Sequence, residues 1–289
     1  MAPARHKISF IGFGEAAQAF AGGMRKDNRF LEIGAFDVKT NGPRNLGVIG
    51  ADTSTDACSG ADMVFSLVTA DQAECAASEA AQRNLNGILF LDCNSCAPET
   101  KRRSAAKVEE AGGCYVDVAI MTPVHPQLHK SPCLLAGPDA QLALERTRDL
   151  GMATEIAGDR IGTASVRKMI RSVMTKGLEA LTLECFLAGR KAGVEEDVLA
   201  SLEISFPGFD WQRRVPYLLE RAISHGIRRA DEMQEVAQTL RDLEINPNMA
   251  EATAARQREA GSLGIDVSEI EATDTAALMD AILAKLAKN

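Results

Sequence analysis

The sequence predicts an α/β domain with a doubly wound, largely parallel sheet, followed by an all-helical domain, and three observations carry that prediction. Apolar runs of strand length alternate with helix-compatible segments through residues 8–158. The first run, "ISFIGFG", ends in two glycines that separate a strand pattern from a helix pattern. From Gly162 onward the strand pattern stops, and helical patterns fill the rest of the 289 residues. The expected domains are therefore 1–161 and 162–289, the second opening with a long interdomain helix over 162–192.

Ile8, Phe10, Ile11 and Phe13 read as a short buried strand, and Glu15 to Lys26 as a helix with Phe20 and Met24 one turn apart. The turn Gly12-Phe13-Gly14-Glu15-Ala16-Ala17 has the spacing G-x-G-x-x-[GA]. In that pattern the first glycine makes a tight turn and the second lets the backbone approach a pyrophosphate. The third small residue keeps helix and strand close. Amides opening the helix would face the phosphates at the positive end of the helix dipole. These six residues are thus candidate NAD or NADP contacts, and the first domain is expected to be Rossmann-type.

The second run, "LEIGAFDVKT", carries Asp37 where an acid about 20 residues on accepts hydrogen bonds from the adenosine ribose. A carboxylate there repels the extra phosphate of NADP, so NAD is favoured; Lys39 and Arg44 are nearby cations of the opposite tendency. The remaining strands are "DMVFSLVTA", "GILFLDC", "CYVDVAIM", "PCLLAG" and "ATEIAG", with helices "DQAECAASEAAQRN", "APETKRRSAAKVEEAG" and "DAQLALERTRDLG" between them. Ligands of such sheets bind beyond the carboxyl ends of the strands, so the loops after Val68, Leu91 and Ala119 are the places to look for chemistry.

A net charge of -8 argues against a nucleic-acid surface, which needs a concentrated basic face. No eighteen-residue apolar run is present, so no membrane span is expected. The first strand begins within ten residues of the start without a secretory apolar region, which makes a cytoplasmic protein the expectation. Seven cysteines, mostly within apolar segments, suit reduced core thiols. Cys93 and Cys96 form C-x-x-C, a spacing that redox dithiols also use. A zinc site would need two further ligands, and Pro126 spoils a helical pairing of His125 with His129, so no metal is expected.

Residues 162–193 contain no proline and end in Gly193, which reads as one helix of about 45 Å. At about 100° per residue, Arg171, Ser172, Thr175, Lys176, Glu179 and Thr182 share a face with Lys168. Such a cationic, hydroxyl-rich stripe suits an anionic substrate, or else a solvated helix face. Further helices are expected over Glu195–Ser205, Trp211–His225, Ile227–Leu243, Pro247–Ala260 and Ala276–Leu286, broken at "FPGFDW", "HGI", "INPN" and "GSLGID". The aromatic residues of "FPGFDW" read as core anchors or a subunit contact.

Together these residues resemble the β-hydroxyacid dehydrogenase family, which includes 3-hydroxyisobutyrate and 6-phosphogluconate dehydrogenases. The resemblance spans the dinucleotide half and the long helix and fades after about Gly193. In that family a loop D-x-S-T-x-S-P or D-x-G-N-S contacts substrate, which "DCNSCAPETKRRS" matches through Asp92, Asn94, Ser95 and Pro98. The match gives C-x-x-C a structural reason without a redox role. "SLVTADQAE" is similar to the nicotinamide-side segment, implying Val68, Thr69 and Ala70 as cofactor neighbours. The family's catalytic lysine opens K-x-x-N-N; here "KMIRS" keeps Lys168 but places Arg171 and Ser172 at the asparagines. The loop D-x-P-V-S-G-G reads "DVAIMTPVHP", with Met121, Thr122 and Pro123 in place of Ser-Gly-Gly. Both departures concern substrate recognition and resemble a less characterised branch with a divergent helical C-terminal domain.

The resemblance implies hydride transfer between a nicotinamide and a small anionic hydroxy acid, with Lys168 as proton donor and acceptor. Arg171 one turn away, and partial desolvation, would favour its neutral amine. Arg171 has a planar fork suited to a carboxylate or phosphate, and Asn94, Ser95, Thr122, His125 and Ser172 are further candidate substrate contacts. An imine reductase, an oxidative decarboxylase and a non-catalytic dinucleotide-binding sensor are the competing readings. An exposed apolar face on the helical domain implies a homodimer or higher homo-oligomer.

Overall fold

The computed structural model describes residues 7–39, 47–270 and 274–287; Arg44 lies outside the described residues. The chain forms two compact units, Met1–Met169 and Ile170–Asn289. Their division falls within the long helix, whose first two turns belong to the first unit.

In the first unit β1 (Lys7–Ile11) leads into α1 (Glu15–Asp27), followed by β2 (Glu32–Phe36), β3 (Ile49–Gly50), α2 (Ser54–Ala57), β4 (Met63–Ser66) and α3 (Ala73–Ala80). Then come β5 (Leu89–Asp92), α4 (Pro98–Glu110), β6 (Cys114–Ile120), β7 (Cys133–Ala136), α5 (Ala140–Asp149) and β8 (Thr154–Gly158). The sheet has the order β3-β2-β1-β4-β5-β6-β7-β8, parallel except where β7 runs against β6. Strand order reverses between β1 and β4, the switch point at which open α/β sheets bind ligands.

Period-2 alternation builds the two layers. Ile8, Phe10, Met63, Phe65, Leu89, Leu91, Val116 and Val118 pack with α1 and α5. Ile11, Val64, Phe90 and Tyr115 face the other way, against α2, α3 and α4. Burial on both faces accounts for the nearly continuous apolar strands.

The long helix is α6 (Thr163–Ala192), followed by α7 (Glu195–Ser205), α8 (Trp211–Asp242), α9 (Asn248–Ser262) and α10 (Thr275–Leu286). Leu183, Phe186, Leu187, Trp211, Leu219, Ile223, Leu263 and Ile282 form the core of the second unit. The Phe209 ring lies 4.3 Å from that of Trp211 at a tilt of 43°, so these two residues of "FPGFDW" are core anchors, whereas Phe206 is exposed. The expected break at "HGI" does not occur, because α8 runs unbroken through Gly226. A Cβ at Gly226 would overlap the Gln257 carbonyl oxygen and lie 2.6 Å from the Gly261 amide nitrogen. This glycine serves a close helix crossing, not a helix end.

The polar stripe on α6 also departs from a solvated face. Ser172, Lys176, Glu179 and Thr182 are buried. Lys176 Nζ lies 2.8 Å from Glu232, Glu179 pairs with Arg229, and Gln257 Nε2 donates to Glu179 at 2.9 Å. Burial pushes the Glu179 carboxyl above, and the Arg229 guanidinium below, their ordinary values, with the ion pair opposing both shifts. The distal half of the stripe therefore holds α6 to α8 and α9. No helix among the described residues is long and apolar enough to cross a membrane.

Candidate active site

The chain leaves β1 through Gly12, whose φ of +83° favours glycine. A Cβ there would overlap the Leu67 carbonyl oxygen and stand 2.8 Å from Val68 Cγ1. Gly14 differs, since a Cβ there meets nothing within 4 Å and the residue is exposed. Glu15 is exposed, Ala16 half-buried and Ala17 fully buried against the core. The first amides of α1 have no acceptor within the helix and flank this open approach.

Asp37 is fixed beside the turn by two backbone donors. The Phe13 amide donates to its Oδ2 at 2.6 Å and the Lys39 amide to its Oδ1 at 2.8 Å. A carboxylate held there retains lone pairs for ribose hydroxyls. An open glycine, the first turn of a helix and a fixed acid together fit a dinucleotide.

Contacts continue across the carboxyl ends of the central strands. The Val68 amide donates to Asn94 Oδ1 at 2.7 Å, and Asn94 Nδ2 donates to Ser66 Oγ at 3.0 Å. Asn94 is 3% exposed, so its amide joins the loops after β4 and β5. Val68 and Ala70 are half-buried and Thr69 is exposed at the head of a short 3₁₀ turn. Next to Asn94, Ser95 Oγ accepts a hydrogen bond from Lys168 Nζ at 2.5 Å. The structure thus links the cofactor turn, the β4 loop, the β5 loop and Lys168 in sequence.

Beneath this row lies an array of which sequence reasoning named only Asp92. Asp92, Lys101, Tyr115 and Asp117 are each fully buried. Lys101 Nζ donates to the Asp92 backbone oxygen at 2.6 Å and to its Oδ1 at 2.9 Å, and Asp117 Oδ1 is 3.6 Å away. Tyr115 Oη donates to Asp92 Oδ2 at 2.6 Å. Although burial favours the neutral amine, the two carboxylates raise the Lys101 pKa overall. Asp117 Oδ2 accepts from the amides of Gly162 and Ser165 at 3.1 and 3.0 Å. One signal was available: Lys101 falls on the inward stripe of α4 with Pro98, Ala105 and Val108.

Thr122 and His125 are exposed in the loop after β6, with Thr122 Oγ1 at 3.5 Å from Gln127 Oε1. Arg171 is exposed on α6, while Ser172 is buried and accepts from Lys176 Nζ at 3.2 Å. Cys93 and Cys96 are unbridged and buried. Burial pushes the Cys93 thiol well above its ordinary pKa, the reverse of what a redox dithiol requires.

The loop after β6 is anchored by His129, which is buried, with Nε2 3.2 Å from Asp27 Oδ2 and Nδ1 unbonded against Gly23. Burial lowers its pKa more than Asp27 raises it, and Lys130 adds to the lowering. The unfolded chain then takes up the proton first, so stability is lost as pH falls through about 6.5 toward the lower folded value. A melting temperature that falls from pH 7 to 5 in the protein, with a shallower slope in His129→Gln, is the expected result. Equal slopes would remove His129 from this dependence.

Comparison with known proteins agrees with this geometry. Residues 7–144 match the model for the NAD binding domain of 6-phosphogluconate dehydrogenase, and residues 190–260 match a domain of unknown function, DUF1932. A conserved hypothetical protein from Sinorhizobium meliloti has a structure with 35% identity and a TM-score of 0.74, covering 98% of this chain and 97% of that one. A second solved structure, of a protein of unknown function described as similar to 3-hydroxyacid dehydrogenases, is 31% identical with a TM-score of 0.67. It covers 90% of this chain and 100% of its own. A 3-hydroxyisobutyrate dehydrogenase from Pseudomonas aeruginosa is 26% identical over 218 residues, 71% of each protein. Fold and matches coincide, and the chain belongs to the 6-phosphogluconate dehydrogenase-like β-hydroxyacid dehydrogenase family of NAD(P)-dependent oxidoreductases.

Proposed function

We propose that the protein oxidises or forms a small anionic 3-hydroxy acid with NAD as the favoured cofactor and Lys168 as the proton-transfer group. The hydrogen bond from Lys168 Nζ to Ser95 Oγ, one residue beyond the Asn94 tie to Val68, carries this reading. The names of the relatives support a 3-hydroxy acid as the substrate class. When bound, the nicotinamide supplies the hydride-accepting carbon.

The chain's own residues supply the rest. Gly12, Phe13, Gly14, Glu15, Ala16 and Ala17 receive the pyrophosphate, Asp37 the ribose, and Val68, Thr69 and Ala70 flank the nicotinamide. Lys168 takes the hydroxyl proton as the carbon–oxygen double bond forms, and returns it in the reverse direction. Ser95 holds the amine and, with Asn94 behind it, shapes the oxygen-binding side. Arg171, one turn along α6, pairs with the substrate anion, and Thr122, His125 and Ser172 are secondary contacts.

Nicotinamide absorbance on mixing the protein with NAD or NADP and a panel of 3-hydroxy acids, phosphorylated and not, tests the proposal. Bound cofactor without turnover across the panel would transfer the reading to imine chemistry or sensing. Asp37→Asn keeps an acceptor for the Phe13 amide but removes the charge. Hydrogen bonds to charged groups contribute about 1.5–3 kcal/mol, so the ratio of NADP to NAD dissociation constants should fall at least about tenfold. An unchanged ratio would separate Asp37 from cofactor choice. The proposed assembly is a homodimer, for which Ile170, Met174 and Leu181 offer an exposed apolar face on α6.

A further inference from the structure

We propose that Asp117 is a positioning residue that sets the separation of Lys168 from Ser95, acting through the two amides it holds at the start of α6, beside the buried Lys101–Asp92 pair. The inference rests on Lys168 being the proton-transfer group. Both partners of the Lys168–Ser95 hydrogen bond are tethered to this array by three residues of chain. On one side, Asp117 Oδ2 accepts the Gly162 and Ser165 amides, and Lys168 lies three residues beyond Ser165. Those two bonds fix the rotation and rise of the first turn of α6.

On the other side, Lys101 grips both the backbone oxygen and Oδ1 of Asp92, three residues before Ser95. Asp92 Oδ1 also accepts the Asn94 amide at 3.0 Å, which sets the turn of the intervening loop. Lys101 joins the halves by lying between Asp92 and Asp117. Gly162 completes the fit: its φ is +97°, and a Cβ there would stand 2.8 Å from Arg102 Nη1 and 3.0 Å from Pro98 Cβ. The start of α6 is thus pressed against the start of α4, the helix that carries Lys101.

Stability alone does not require this convergence on one acid. A carboxylate with one oxygen devoted to two helix amides and the other facing a buried ammonium has a fixed direction. A misplacement of about 1 Å at a reacting group can cost about 10²-fold in rate, so positional control here has catalytic weight.

The test compares Asp117→Ala with Asp117→Asn, whose carbonyl oxygen can still accept both amides. Lys168 is labelled with a limiting dose of an amine-reactive succinimidyl ester and quantified by mass spectrometry, with exposed Lys130 as internal reference. In Asp117→Ala, with cofactor affinity and cooperative melting retained, Lys168 labelling relative to Lys130 should change at least fivefold; in Asp117→Asn it should stay within twofold. A change below twofold in the alanine variant would overturn the proposal. If that variant does not fold, Asp117→Asn decides: a fivefold change there would assign the anchoring to charge and overturn the role of the two amide bonds.

Turnover gives an independent arm. Asp117→Ala should lower kcat about 10²-fold with KM for cofactor unchanged, and should add no further loss in a Lys168→Ala background. A loss that persists in that background overturns the proposal. Absence of turnover in the unaltered protein would instead refute the proposed reaction, while the labelling result would still decide the role of Asp117.

Discussion

Lys168→Ala should lower kcat about a thousandfold while leaving NAD affinity within a factor of two. A positioned general acid or base contributes about 10²–10⁴ in rate, and a thousandfold corresponds to about 4 kcal/mol at about 1.36 kcal/mol per decade. The cofactor turn and Asp37 stand on β1, β2 and α1, and Asp37 is held by the Phe13 and Lys39 amides. Binding and turnover should therefore separate cleanly. Lys168→Arg distinguishes proton transfer from simple charge. A guanidinium keeps the positive charge but stays protonated at any working pH, so it cannot receive the hydroxyl proton. Both variants should fail by similar factors, and Ser95→Ala should retain more activity because it removes only one tether of the amine. Near-normal kcat in Lys168→Ala would end the proton-transfer assignment. An active arginine variant would reduce the lysine's task to holding charge.

The sheet, the glycine turn and Asp37 were legible in the sequence because each rests on local spacing. Alternate residues of a strand enter opposite layers, so a short run such as Met63 to Ser66 already displays its burial. The fingerprint places Asp37 beside Phe13, and β1–β2 pairing brings the end of that strand alongside Ile11. The buried array was not legible in this way. Asp92 and Asp117 meet only because β5 pairs with β6 in one register, and Lys101 reaches them only when α4 packs back on the sheet. The stripe on α6 shows the same limit. Its periodicity was correct, yet the face it defines divides between Lys168, which bonds Ser95, and Lys176 and Glu179, which pair with Glu232 and Arg229. Periodicity gives the face of a helix but not what covers it.

Gly226→Ala is expected to destabilise the helical unit by about 3 kcal/mol, although the substitution favours helix by propensity. Alanine is better than glycine inside a helix by about 1 kcal/mol. If Gly226 were a helix break or sat on an open face, the melting temperature would rise. At the α8–α9 crossing, however, the added carbon would overlap the Gln257 carbonyl oxygen and approach the Gly261 amide nitrogen at 2.6 Å and its Cα at 2.8 Å. These are backbone atoms, so no side-chain rotation relieves the overlap and the two helices must part. Parting loosens Ile223 and Ala222 from Ala260 and Leu263 in the shared core, and overpacking of this kind costs about 1–3 kcal/mol or more. It also pulls Gln257 from Glu179, leaving a buried carboxylate with one fewer donor. The steric term exceeds the propensity term, which fixes the sign. Gly261→Ala would meet the Ile227 amide nitrogen at 2.5 Å and open the same gap, so the double variant should cost less than the sum of the singles. Urea unfolding of the three variants measures this directly. A stabilised Gly226→Ala would mean that α8 and α9 cross further apart than their backbones indicate, whereas additive losses would mean that the two glycines relieve separate overlaps.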